Sequence, residues 1–343
     1  MKRSVALNWL EVLLALVMLT PSPAFALTTE GAGAVLPYVE RPISIDEVPQ
    51  AEPRSLADIA NASGPIDGGA FFSISRWDRF PKVIVLDMED FSAQNRMFSR
   101  LAFFLEKSGY RGRLLSDYEL SDLHGWNAHD YGPSGLASFF NTANKRRFEL
   151  DKEELLLRDL AMREGLIVRE GKNYSPGSGA ILSISRESDR YARRLLLAHE
   201  SYHGIFFTVS AYRQLSYSVW DATDKNERAF VLRLLTYLGY DTTSRELTVN
   251  EFQAYLLQQP ASMLSDYVDR MEPILAKNPN FVSPPVADAL PGLLRDEKKL
   301  ETFLRQKYRI GAGGTYTGVH QPRGKGGFPP NTRRSKDAFG SIP

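Results

Sequence analysis

The chain has 343 residues, 43% of them apolar and 24% charged, with 42 Lys plus Arg against 41 Asp plus Glu. That length suits one large domain or two modest ones, and the balanced charge argues against nucleic acid as a partner. Cysteine is absent, which removes any disulfide and any lipoprotein attachment site and suits an exported chain.

Residues 1–26 read as a secretory signal peptide. Lys2 and Arg3 form the positive start, Val12 to Thr20 the apolar stretch, and Ala24-Phe25-Ala26 a small-x-small cleavage site. The expected address is therefore periplasmic or secreted. No later segment is apolar enough to cross a membrane, so no stable span is expected after cleavage. Residues 27–70, rich in Pro, Ala, Gly and Glu, read as a linker or a strap over the domain. Strands are expected at 71–75, 82–86 and 113–115. A helix over 91–108 separates the last two, with Met97, Leu101, Phe104 and Leu105 as its apolar stripe. The stretch His124 to Pro133 reads as a loop by its Gly and Pro, and its two His and one Trp make it a candidate rim of a cleft. Helices at 134–147 and 151–164 and strands at 166–169 and 180–185 follow. Thereafter helices are expected at 189–210, 224–240, 248–259, 262–277 and 286–308. Residues 311–343, rich in Gly, Pro and Arg, read as a disordered tail with no role in chemistry. The fold class is α+β: a small mixed β-sheet with helices in the N-terminal half, then a mostly helical C-terminal half. The domain spans 71–310, with an N-lobe to about 205 and a helical C-lobe from about 206.

The chemistry centres on His199-Glu200-Ser201-Tyr202-His203, flanked by Leu195-Leu196-Leu197-Ala198 and Gly204-Ile205-Phe206-Phe207. Positions i and i+4 share one helical face, so two imidazoles so spaced can grip one zinc ion while the Glu between them reaches a metal water. A hydrolytic zinc site needs a third protein ligand. Glu251 is the leading candidate: it sits among Val249, Phe252, Ala254 and Tyr255, where a carboxylate is costly to bury unless a cation meets it. Asp221, Asp224 and Glu227 lie nearer in sequence, but Lys225 and Arg228 beside them suit a solvated helix start.

The motif together with the later Asn250-Glu251 helix resembles the zincin metallopeptidases, and within them the gluzincin branch. The resemblance covers about residues 180–260; the whole chain also resembles uncharacterised secreted bacterial HExxH proteins. It implies a zincin-like fold with the active-site helix between the lobes. It also implies zinc on His199, His203 and Glu251, Glu200 as general base, and a peptide or protein substrate. The gap from His203 to Glu251 exceeds that of familiar gluzincins, and Tyr255 stands where an Asp often supports one ligand His. A third His soon after the motif would mark a metzincin, but the next is His320. Candidate oxyanion-stabilising residues are Tyr255, Tyr212, Tyr217, His124 and His129. By the same resemblance, strand 180–185 would be the edge strand that pairs with the substrate. A catalytically inactive zinc- and peptide-binding protein, or a zinc amidase acting on a cell-wall bond, are the alternatives. Intact Glu200 favours the enzyme.

Overall fold

The structure, a computed structural model, describes residues 44–66, 70–121, 123, 126–276 and 286–314. The signal-peptide segment, His124 and residues 315–343 lie outside the described residues. A 3-10 turn at Ile45–Glu47 leads into β1 (Glu52–Arg54) and α1 (Leu56–Asn61). Next come β2 (Phe72–Trp77), β3 (Val83–Met88), α2 (Phe91–Leu105), α3 (Asp117–Ser121) and β4 (Ala128–Tyr131). The chain continues through α4 (Pro133–Arg146), α5 (Lys152–Arg163), the hairpin β5 (Ile167–Glu170) and β6 (Asn173–Pro176), and β7 (Ala180–Ser185). Six helices close the described chain: α6 (Arg190–Thr208), α7 (Ser210–Asp221), α8 (Lys225–Tyr237), α9 (Arg245–Leu257), α10 (Ala261–Ala276) and α11 (Val286–Tyr308). Among the described residues, no helix is long and apolar enough to cross a membrane.

The architecture is mixed α+β around one five-stranded sheet of order β1-β2-β3-β7-β4. β1 runs parallel to β2 and β3 parallel to β7, while β2–β3 and β7–β4 are antiparallel. Alternate residues of a strand point to opposite faces. Val83, Val85, Leu182 and Ile184 therefore join the core shared with α6 and the C-terminal helices. Ile84, Leu86 and Ile181 join the second core, under α2, α4 and α5. A sheet covered on both faces reads as a continuous apolar run in its central strands, which is why β7 alternates so weakly.

Four expectations change. The stretch read as a loop contains β4, because β7 offers it a ladder: Ala128 pairs with Ile184 and Tyr131 with Ile181. β7 is consequently an interior strand, and the edge position belongs to β4. No strand forms at 113–115, which runs irregularly from α2 to α3. At the N-terminus, the described part of the strap is packed: Leu56 and Ile59 of α1 are buried in the core of the motif helix. At the other end the described chain runs past 310 to 314, with Ile310 and Ala312 buried.

Candidate metal centre

The motif lies on α6, whose N-cap Asp189 accepts hydrogen bonds from the Tyr191 and Ala192 amides. Arg193 fixes the first turn: its guanidinium donates to Ser185 O at 2.7 Å, Ile59 O at 2.7 Å and Asp87 Oδ1 at 2.9 Å. Gly204, one residue past the second His, lets the helix approach the sheet. A Cβ there would lie 3.1 Å from Val83 Cγ1 and 3.2 Å from Val83 Cγ2. The second helix of the site, α9, begins at N-cap Ser244 and packs directly against α6.

These two helices bring His199, His203 and Glu251 together as a buried group able to hold a metal ion. His199 Nε2 is 3.5 Å and His203 Nε2 3.9 Å from Glu251 Oε2. Donors on one tetrahedral ion at bond lengths of ~2.0–2.1 Å stand about 3.3 Å apart, so a small inward adjustment closes the set. The chemistry of the donors fits the ion too. Both His203 ring nitrogens and Glu251 Oε2 are buried without a hydrogen-bond partner. Such orphans are costly, and a cation among them would satisfy Nε2 and Oε2 together. Burial pushes the His203 imidazolium down to about 4, against the pull of Glu251, so the ring is neutral and able to ligate. For Glu251, burial pushes upward, but attraction to His203 when that ring is protonated, with hydrogen bonds from His199 and Tyr240, lowers the carboxyl below its ordinary range; with the rings neutral, a bound cation would take over that part.

Gln258 completes the arrangement around His199. Its Oε1 lies 3.0 Å from His199 Nδ1, and with Oε1 accepting, the proton sits on Nδ1 and Nε2 keeps its lone pair for the metal. Tyr255, the residue where a supporting Asp was sought, instead packs edge-on against the His199 ring at 4.6 Å. The support comes from three residues further on, just past the end of α9.

Glu200 is 5% exposed, with Oε2 unpartnered, and belongs to a second donor group with Asp130 and His203. Burial, then Glu251 and Glu106, raise its carboxyl well above the ordinary range. Asp130 on β4 was not anticipated. Its Oδ1 is 3.6 Å from His203 Nε2, and Asn250 Nδ2 donates to its Oδ2 at 3.3 Å. The end of α2 also reaches the site. Lys107 Nζ stands 3.2 Å over the Trp126 ring, and Trp126 stacks on Tyr240. Burial raises Glu106 to about 8 and lowers Lys107 to about 7, each partly offset by the other. In sequence the pair falls near the end of the helix expected over 91–108, and nothing local marks it.

A pocket of about 30 Å³ lies against His199 and Glu200, walled by Trp126, Tyr240 and Tyr255. A cleft of about 230 Å³ lies beyond, between Gly132, Phe207 and Asn250. Glu106 and Asp130 line both spaces. Of the oxyanion candidates, Tyr255 and His129 border the pocket. His129 is 2% exposed, and its Nδ1 is bound by the Tyr131 hydroxyl at 3.1 Å. Tyr212 is fully buried, donating to Gln253 Oε1, and Tyr217 packs on Phe206 beneath Arg245. The alternative acidic ligands are occupied elsewhere. Asp221 pairs bidentately with Arg245, and Asp224 caps α8. Glu227, read as a solvated residue, is fully buried against Arg295 and Asp296.

No family model, no curated protein and no solved structure matches this chain.

Proposed function

We propose that this protein is a zinc-dependent, zincin-like hydrolase of peptide bonds, exported on the strength of its first 26 residues. The observation that carries this reading is the buried His199–His203–Glu251 group with the unpartnered Glu200 Oε2 beside it. Bound zinc would supply Lewis acidity and a water acidic enough to lose a proton near neutral pH. A cation on the donor group would bring the raised Glu200 carboxyl down to its ionised form, able to take that proton and return it to the leaving amine as the peptide C–N bond breaks and a C–O bond forms. Gln258 would hold His199 in the ligating tautomer, and Asn250 would hold Asp130 in place beside Glu200. β4, the sheet edge nearest the motif helix, is where an extended peptide would add as a further strand. Tyr255 stands one helical turn beyond Glu251 and reaches the same pocket, as an oxyanion donor must.

One observation favours the catalytically inactive zinc- and peptide-binding reading: the pocket at the donor group has room for little more than a water or two. The deciding experiment pairs metal analysis with a peptide-library digestion read by mass spectrometry. The wild type should carry one zinc per chain and cleave. Glu200→Gln should carry the same zinc and lose most turnover, because an amide cannot accept the proton. A Glu200→Gln variant with near-normal turnover would refute the assigned base, and stoichiometric zinc with no cleavage by the wild type would move the protein to the binding class.

A further inference from the structure

The turn Gly311-Ala312-Gly313-Gly314 closes behind the two helices that carry the donor group. It follows α11, whose inner face is in the same core, and Ile310 before it is 1% exposed. Tyr202, fully buried between the two motif His but on the other side of α6, donates its hydroxyl to Gly311 O at 2.8 Å. Two residues on, the Gly313 amide donates to Leu257 O at 2.7 Å, at the last residue of α9. That bond satisfies one of the carbonyls a helix end leaves open. Between them, the Ala312 amide is held by Glu301 Oε1 at 2.9 Å. The turn is shaped for this contact. Gly313 has φ +64°, and a Cβ there would sit 2.5 Å from Pro260 Cδ and 2.8 Å from Pro260 N. Only glycine reaches the corner at 258–260, and that corner carries Gln258, the partner of His199 Nδ1.

We infer that residues 311–314 are a positioning clasp for the metal centre. One turn ties the α6 residue lying between the two His to the end of the helix that bears Glu251. It thereby sets the separation of the three donors and the reach of Gln258. This inference rests on the proposed metal site. It concerns residues outside that site, within a stretch that reads in sequence as the start of a tail.

The test uses the full-length zinc-loaded protein, a chelator of known affinity, and melting curves with and without zinc. Gly313→Val should weaken zinc binding on the order of 10–100-fold, the range for supports of metal ligands. Tyr202→Phe, which removes only a hydroxyl, should weaken it by about 2–10-fold. Both should shrink the zinc-induced rise in melting temperature, because that rise reports affinity for the folded state. Leu157→Ala, fully buried in the other core, is the control: it should lower melting with and without zinc alike and leave affinity unchanged. If Gly313→Val does not fold, Tyr202→Phe decides. Clasp variants that behave like Leu157→Ala overturn the inference while the metal site stands. A wild type that binds no zinc removes both.

Discussion

At the scale of single residues, the site depends on groups whose hydrogen-bonding capacity is left open or directed. With Gln258 Oε1 accepting from His199 Nδ1, Nε2 on the Glu251 side keeps its lone pair for a metal. Gln258→Leu should therefore weaken zinc binding on the order of 10–100-fold without unfolding the protein, measured by chelator competition; unchanged affinity would show that the tautomer is set otherwise. Glu251→Ala should empty the site, since it removes the buried carboxylate donor and leaves only the two imidazoles. Asp221→Ala should leave zinc content at the wild-type level, because its carboxylate is spent on Arg245 at the surface. Metal analysis of the two variants checks the ranking, and the reverse order would place the third ligand on the earlier segment. Most of the donor set is legible in the sequence, because a His pair at helical spacing and a carboxylate on an apolar helix are local patterns. Asp130 and Gln258 are not, because each acts on a His more than fifty positions away in the chain.

At the scale of elements, α6 does two separable things. Its start is capped by Asp189, and its middle is pressed against β3 and β7 through Gly204. Asp189→Ala should cost about 1 kcal/mol of stability, the usual worth of such a cap, and leave zinc affinity intact, since the first turn lies well before His199. Gly204→Val should cost about 1–3 kcal/mol by overpacking and also weaken zinc, because the shift is next to His203. Chemical denaturation and zinc titration on the same two proteins read both effects, and equal zinc affinity in the two variants would contradict the assignment. β4 shows the opposite dependence on context. Gly, Pro and polar aromatics make its surroundings read as a loop. Its four residues become a strand because β7 pairs with them, and as the sheet's edge it brings Asp130 to the motif helix.

At the scale of the whole molecule, α11 is held to α8 through buried acids. Glu227 and Asp296 are both fully buried and face one another, and Arg295 reaches Glu227 at 3.0 Å. Burial, then Asp296, raise the Glu227 carboxyl to about 8. A carboxyl whose folded value lies above its unfolded one binds its proton more tightly when folded. Its contribution is complete below the ordinary Glu range, near pH 4.5, and is lost as pH rises through about 8. The melting temperature of the wild type should therefore fall across that window, and Glu227→Gln, which keeps a hydrogen bond without titrating, should flatten the fall. A variant with an unchanged slope would assign the pH dependence to other groups. Because α11 also carries the clasp, this junction links stability at alkaline pH to the back of the metal centre.

The sequence by itself determined the motif helix, its donor spacing, the carboxylate on α9 and the mixed α+β composition of the chain. All of these follow from local periodicity, or from the cost of placing one charge in an apolar run. Tertiary structure alone decided that 128–131 is the edge strand and that Glu106 and Asp130 converge on Glu200. It also decided that a glycine-rich stretch after α11 closes onto Tyr202 and Leu257. Those contacts join residues that lie from about fifty to more than a hundred positions apart. They become favourable only once the sheet and the two ligand helices have formed the surface against which they are made.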